Sequence, residues 1–316
     1  MATMPPPPGA ERESTSDAAW AAEARAALAD HDAQLAARFD DGEDVDRLLA
    51  ARATAVDGWV RQAWARCVPA DAPLALFAVG GYGRGELFPH SDIDVLALAG
   101  EGAGAPHADA LGRLFALLWD AGLKVGHAVR TAGECTCEAD ADLTVQTNLQ
   151  DARPLLASQQ DVRTLAQAIA PERTGWTAQR YFDGKREEQA RRHARFGDTA
   201  DNLEPNLKDG PGGLRDIQTL RWMARAVFGV HGFEQLIALG QLGVDELATL
   251  ERERQALSRL RFGLHLVAGK AEERLRFDHQ KALAARLDHV GEADNALVEQ
   301  MMQGFYRSAA VVLRIN

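Results

Sequence analysis

Between Ala18 and about Cys67, Leu28, Leu35, Leu48, Leu49, Val56, Trp59 and Val60 recur at helical spacing in an Ala-rich background, which predicts N-terminal helices. Leu74–Val79 is a short, unbroken apolar run that stops at Gly80-Gly81, the pattern of a buried strand closed by a turn. A second strand is expected over Ile93–Ala99. Ala108–Ala121 returns to the helical period, with Leu111, Leu114, Phe115 and Leu118 on one side, and Val125–Thr131 reads as a third strand. Strand, turn, strand, helix and strand thus follow within one short stretch, a small α/β unit. After Leu143 the pattern is mostly helical. Gly and Pro cluster only at Asp209–Gly213, a loop, and Leu214–Val227, Asp245–Val267 and Ala293–Arg314 read as amphipathic helices. The expected organisation is a disordered leader over 1–17, a sheet-bearing domain with N-terminal helices over 18–150, and a helical domain over 151–316.

Composition narrows the function classes. A chain of 316 residues with 46% hydrophobic and 26% charged residues can bury a real core. The net charge of −11 argues against binding to a nucleic-acid backbone, yet leaves room for a basic pocket that takes one nucleotide. Cys67, Cys135 and Cys137 make no disulfide framework and suggest a reducing compartment. No second Cys/His pair follows Cys135-x-Cys137 at zinc spacing. No apolar run is long enough to span a bilayer, and the Pro-rich N-terminus lacks a signal core. A cytoplasmic protein without membrane or nucleic-acid partners is expected. The His31-Asp32 dipeptide lacks the downstream His and Asp of a phosphohydrolase metal set and reads as a solvated helix face.

The chemistry concentrates in Val79-Gly80-Gly81-Tyr82-Gly83-Arg84-Gly85-Glu86-Leu87-Phe88-Pro89-His90-Ser91-Asp92-Ile93-Asp94. Asp92 and Asp94 open a strand, and alternation puts both carboxylates on one side. Two acids beside an apolar strand are costly unless a cation joins them, and such oxygen donors suit Mg²⁺ held together with substrate phosphates. Gly80-Gly81 lets the backbone turn sharply and approach a polyphosphate, with N–H groups exposed as an anion nest. Ser91 offers a hydroxyl donor and Arg84 a charged fork. Alone, Gly-Gly is a turn and D-x-D a solvated strand end. Together, between two strands, they resemble the polymerase-β nucleotidyltransferase superfamily.

G-G-Y-G-R-G-E-L-x-P-x-S-D-I-D is similar to the signature of protein-PII uridylyltransferases and their adenylyltransferase relatives. Further matches to the uridylyltransferases are Trp119, Val125–Thr131, Asp142–Leu149, Lys185 with Glu188-Gln189 and Arg192-His193, Asn202–Lys208, and Gly210-Pro211-Gly212-Gly213-Leu214-Arg215-Asp216-Ile217. They cover roughly residues 55 to 316. The resemblance implies an α+β, polymerase-β-type nucleotidyltransferase domain with a small mixed sheet, followed by a helical domain, with UTP in the cleft between them. It implies transfer of UMP to a tyrosine of the PII signalling protein, Mg²⁺ on Asp92 and Asp94, and a nucleotide or partner contact from Lys185; Arg215 either contacts the nucleotide, pairs with Asp216, or with it orients active-site groups. The superfamily's third carboxylate has no counterpart on the third strand; Asp142 is either that ligand or a helix cap. Competing readings are a glutamine-synthetase adenylyltransferase-like enzyme and a non-catalytic regulator that binds nucleotide or PII. His193 lies on a charged helix that is either a solvated face or a binding face, and His127 is expected in the core. The family continues into an HD hydrolase and glutamine-sensing ACT domains. This chain stops about where the HD domain would start, so both activities are expected to be absent.

Overall fold

The computed structural model describes residues 16–287 and 294–316. Positions 1–15 of the expected leader lie outside the described residues; Ser16 caps the first helix, its hydroxyl accepting from the Ala19 N–H at 3.2 Å. The Ala-rich stretch folds as two helices, α1 (Asp17–Asp40) and α2 (Val45–Cys67). They part where Gly42 takes φ +83° and Asp44 accepts from the Asp46 and Arg47 N–H groups. Then come β1 (Leu74–Val79), the single turn α3 (Gly80–Gly83), β2 (Ile93–Ala99), α4 (Ala108–Asp120), β3 (Val125–Arg130), α5 (Ala132–Ala141), α6 (Leu143–Gln150) and β4 (Arg153–Leu156). The rest is helical: α7 (Gln159–Ala168), α8 (Pro171–Thr174), α9 (Ala178–Ala194), α10 (Leu214–Phe228), α11 (Glu234–Ala238), α12 (Val244–Ala268), α13 (Phe277–Arg286) and α14 (Asp294–Ile315).

The sheet runs β3-β2-β1-β4, with β1 antiparallel to both β2 and β4 and β2 parallel to β3. The fold is α+β with a small mixed sheet, as expected. The hydrophobic pattern does not reveal β4, whose four residues include Pro154 and lie past the boundary expected at 150. Alternation divides the strands between two cores. Leu76, Ala78, Ile93 and Val95 pack with Trp20, Val56, Val60, Leu114 and Leu118 of α1, α2 and α4. Phe77, Val79, Leu96 and Leu98 face Cys135, Leu149 and Leu165 of α5, α6 and α7. Asp94 shares this second face with Leu96 and Leu98.

A third core joins Leu214, Ile217, Leu257, Phe262 and Phe305 of the later helices to Leu35, Phe39, Leu48 and Leu49 of α1 and α2. Phe39 stacks on Phe262 with ring centroids 5.1 Å apart. Each such large apolar side chain removed from water contributes about 1.5–3 kcal/mol, so the α1–α2 hairpin ties sheet and helices together. Among the described residues no helix is long and apolar enough to cross a membrane. Asp32 pairs with Arg52 at 2.9 Å, a structural role for the His31-Asp32 dipeptide.

Candidate active site

Register brings the glycine turn to the acids. Val79, the last residue of β1, pairs across the sheet with Asp94, so the chain enters Gly80-Gly81 beside that carboxylate. Gly80 takes φ +57° to start α3, and a Cβ there would stand 3.5 Å from Asp94 Oδ2 and 3.6 Å from Asn148 Oδ1. On the other flank Gly126 of β3 pairs with Asp94, and a Cβ at Gly126 would lie only 2.2 Å from Asp94 Oδ1. The carboxylate therefore occupies space that only glycine leaves open.

The connection carrying Ser91 and Asp92 is tied down. Phe88 is buried in the helical core. The Pro89 carbonyl accepts from His265 Nδ1, and the Ser91 N–H donates to the Phe88 carbonyl at 3.1 Å. Burial first, then the Arg261 charge, pushes the His265 imidazole down to about 4, so at neutral pH it is an uncharged donor.

A cavity of about 430 Å³ opens between this strand end and helices α6, α9 and α10. Gly80, Gly81, Arg84, Ser91, Asp92, Asp94, Lys185 and Arg215 all line it. Asp142 is not among the lining residues: its Oδ1 accepts from the Thr144 N–H at 2.6 Å and caps α6, the second of the two roles expected for it. β3 supplies no replacement, because its residues on the Asp94 side are Gly126, Ala128 and Arg130. The Asn148 amide oxygen, 3.6 Å from where a Gly80 Cβ would stand, also lines the cavity.

Seven Arg and Lys side chains meet six carboxylates in this lining, a local excess of positive charge in an acidic chain. Glu86 pairs with Arg84 at 2.8 Å, Glu188 with Lys185 at 2.8 Å, Asp209 with Arg215 at 3.4 Å, and Glu273 with Arg261. Among the described residues, Asp92 and Asp94 alone of the six have no ion-pair partner. Burial, then the neighbouring Asp92 charge, holds the Asp94 carboxyl above the usual carboxylate range. Burial likewise lowers the Lys185, Lys208 and Arg215 cations, which an anionic ligand would relieve. Two acids that repel each other, on a hard-oxygen site opposite several desolvated cations, fit a divalent metal with a polyphosphate.

Trp222 organises these cations. Its ring lies 4.5 Å from Lys185 Nζ, 5.5 Å from the Arg84 guanidinium and 5.4 Å from that of Arg215. Its indole N–H donates to Asp151 at 3.0 Å, and Asp151 also accepts from Arg84 at 2.6 Å. Arg84 therefore spends two nitrogens on Glu86 and Asp151, joining the sheet to the helices more than forming a free fork. Asp216 is a second hub. Fully buried, it accepts from Gln189 at 2.8 Å, Arg192 at 2.7 Å, His193 at 2.9 Å and the Gly212 N–H at 2.7 Å. It pairs with helix α9 and orients Arg192 in the cavity wall, so His193 belongs to a buried network. His127 departs from its expected place in the core. It sits exposed on β3, its ring stacked on Phe115 at 3.9 Å. Asn148, Arg192 and Lys208 lie in segments that carry the family resemblance but show no chemistry of their own in the sequence, and Trp222, on an amphipathic helix, reads simply as core; all four line the cavity.

Residues 180–316 match the family model described as GlnD PII-uridylyltransferase. A bifunctional uridylyltransferase/uridylyl-removing enzyme of Xanthomonas campestris pv. campestris (strain B100) is 59% identical over 300 residues, covering 95% of this chain and 34% of that protein. A protein of the same name from Pseudomonas putida (strain W619) is 44% identical over 280 residues, covering 88% of this chain and 31% of its own length. The chain thus spans about a third of the length of the curated relatives it matches.

Proposed function

The chain belongs to the PII-uridylyltransferase family, and from that premise we propose that it transfers UMP from UTP to a tyrosine hydroxyl of the PII protein, in the cytoplasm. The phenolic oxygen bonds to the α-phosphorus, the bond from that phosphorus to the bridging oxygen of the β-phosphate breaks, and pyrophosphate and the phenol proton leave. The observation that carries this reading is the unpaired Asp92/Asp94 couple facing buried cations across one cavity. Asp92 and Asp94 would hold the divalent ion, which we take to be Mg²⁺, in the cavity that Asn148 also lines. When bound, the ion supplies charge for the triphosphate and lowers the cost of deprotonating the phenol. Gly80-Gly81 admits the phosphates, while Lys185, Lys208 and Arg215 neutralise them; Ser91 adds a donor. Catalysis here is positioning and charge stabilisation, without a covalent enzyme intermediate.

The direct test incubates the 316-residue chain with PII, Mg²⁺ and labelled UTP or ATP. Label from UTP on a PII tyrosine is expected. Label from ATP alone would move the chain to adenylyl transfer, and nucleotide binding without any transfer would make it a regulator.

Gly81 offers a cleaner probe of the phosphate approach than Gly80. A Cβ at Gly81 meets nothing closer than 3.7 Å and the residue has no positive φ, so the free protein accommodates a Cβ at this position. Gly81→Val is expected to leave the melting temperature within about 2 °C and weaken UTP binding at least about tenfold, because its branched side chain stands where phosphate approaches. Calorimetric titration with UTP checks it; unchanged affinity would reduce Gly80-Gly81 to a turn.

A further inference from the structure

The two edges of the sheet are unlike. β4 is four residues long, carries Pro154, and its pairing with β1 shifts register between Leu76 and Phe77. These features stop an edge from recruiting another strand. β3 has six residues, no proline, and no strand beyond it among the described residues.

Register decides which β3 backbone groups are already used. The Ile93 N–H donates to the Lys124 carbonyl at 2.8 Å, and Ile93 pairs with Val125. In a parallel ladder this turns the N–H and C=O of Gly126, Ala128 and Arg130 toward β2 and those of Val125, His127 and Val129 toward the open edge. The Trp119 indole N–H agrees, reaching the outward Val125 carbonyl at 3.3 Å. Among the described residues none bonds the outward groups of His127 and Val129, and both residues are exposed. This edge begins at the proposed reaction centre, since Gly126 is the residue opposite Asp94.

We infer that the open edge of β3 docks an extended segment of the acceptor protein, which pairs its backbone with His127 and Val129 and delivers its hydroxyl to the Asp92/Asp94 end. Main-chain pairing gives such an added strand its affinity. Trp119, 50% exposed at the catalytic end of the edge, supplies an apolar anchor. The His127 ring is held against Phe115, so its backbone rather than its imidazole faces the partner. The inference rests on the proposed transfer to a protein acceptor.

The test follows backbone amide exchange in the chain with a UTP-saturated site, before and after adding PII. The His127 and Val129 amides are expected to slow at least about tenfold on PII addition, while Ala128, already paired to β2, stays unchanged. Val129→Pro removes one outward N–H without touching the β2 ladder. It is expected to raise KM for PII about tenfold with UTP affinity unaltered, the worth of a main-chain hydrogen bond or two. Transfer by the wild-type chain with neither amide slowed, and an unchanged KM in the variant, would overturn the docking edge while leaving the activity intact. Slowing that grows with enzyme concentration in the absence of PII would assign the edge to a second copy and also overturn it. A wild-type chain that binds UTP but never labels PII would remove the activity, and the inference with it.

Discussion

Asp94→Asn should abolish UMP transfer while making the metal-free protein more stable at neutral pH. The loss is expected to reach at least roughly 10²–10³-fold in kcat, the scale of removing one preorganised charge from a reaction centre. The gain in stability follows from linkage. Burial and the Asp92 charge raise the folded-state pKa of Asp94, so the folded protein holds that proton more tightly than the unfolded chain does. Its favourable contribution is fully present below the unfolded value of about 3.9 and lost as pH rises through the higher folded value. At neutral pH the wild type carries an ionised, half-buried and unpaired carboxylate, whereas asparagine keeps the shape without the charge. Melting curves without divalent ions should therefore show the variant above the wild type at pH 7, the gap closing toward pH 4. Asp92→Asn should match the loss of transfer with a smaller change in melting, because Asp92 is exposed. A folded Asp94→Asn protein that still turns over, or one that melts below the wild type at pH 7, would contradict this account.

The second large effect is expected at Asp216, which touches no nucleotide in this reading. Asp216→Ala leaves the Arg192 guanidinium buried without its carboxylate and frees the Gln189, His193 and Gly212 donors. Breaking a buried pair from one side costs about 3–5 kcal/mol, because the remaining charge stays desolvated. Urea unfolding should show a loss of this size. Arg192→Met, which removes the charge and retains an apolar stem, should cost less than Asp216→Ala. If Asp216→Ala costs under about 1 kcal/mol, the hub is only a surface-like contact. Where the variant remains folded at low temperature, UTP affinity should also fall, since Arg192 and the Asp209–Gly213 loop lose their common anchor.

These two residues mark the limits of what the chain reveals on its own. Asp94 is legible because its signal is local: an apolar run, two glycines, an alternating pair of acids and a second apolar run. Strand periodicity orients both carboxylates without any knowledge of the fold. The strands at Leu74–Val79 and Ile93–Ala99 and the helix beginning at Ala108 are legible for the same reason, since period two and period 3.6 are properties of short segments. Asp216 is not. It follows an arginine at a helix start, and only the packing of α9 on α10 turns it from Arg215 toward Gln189, Arg192 and His193.

The sequence alone therefore determined the fold class, the glycine turn and the acid pair, along with a resemblance resting on motifs spread from residue 55 onward. Tertiary structure alone decided which cations face that pair, how Trp222 spaces them, that Asp142 caps a helix, and that a fourth strand lies past residue 150. It also put His127 on an open edge. The physical reason is one of range. A segment's own periodicity states which face is apolar, but burial, ion pairing and edge exposure depend on partners supplied from elsewhere in the chain. Lys185, Lys208, Arg215 and Trp222 meet Asp92 and Asp94 only because the α1–α2 hairpin holds the sheet and the later helices in one packed body.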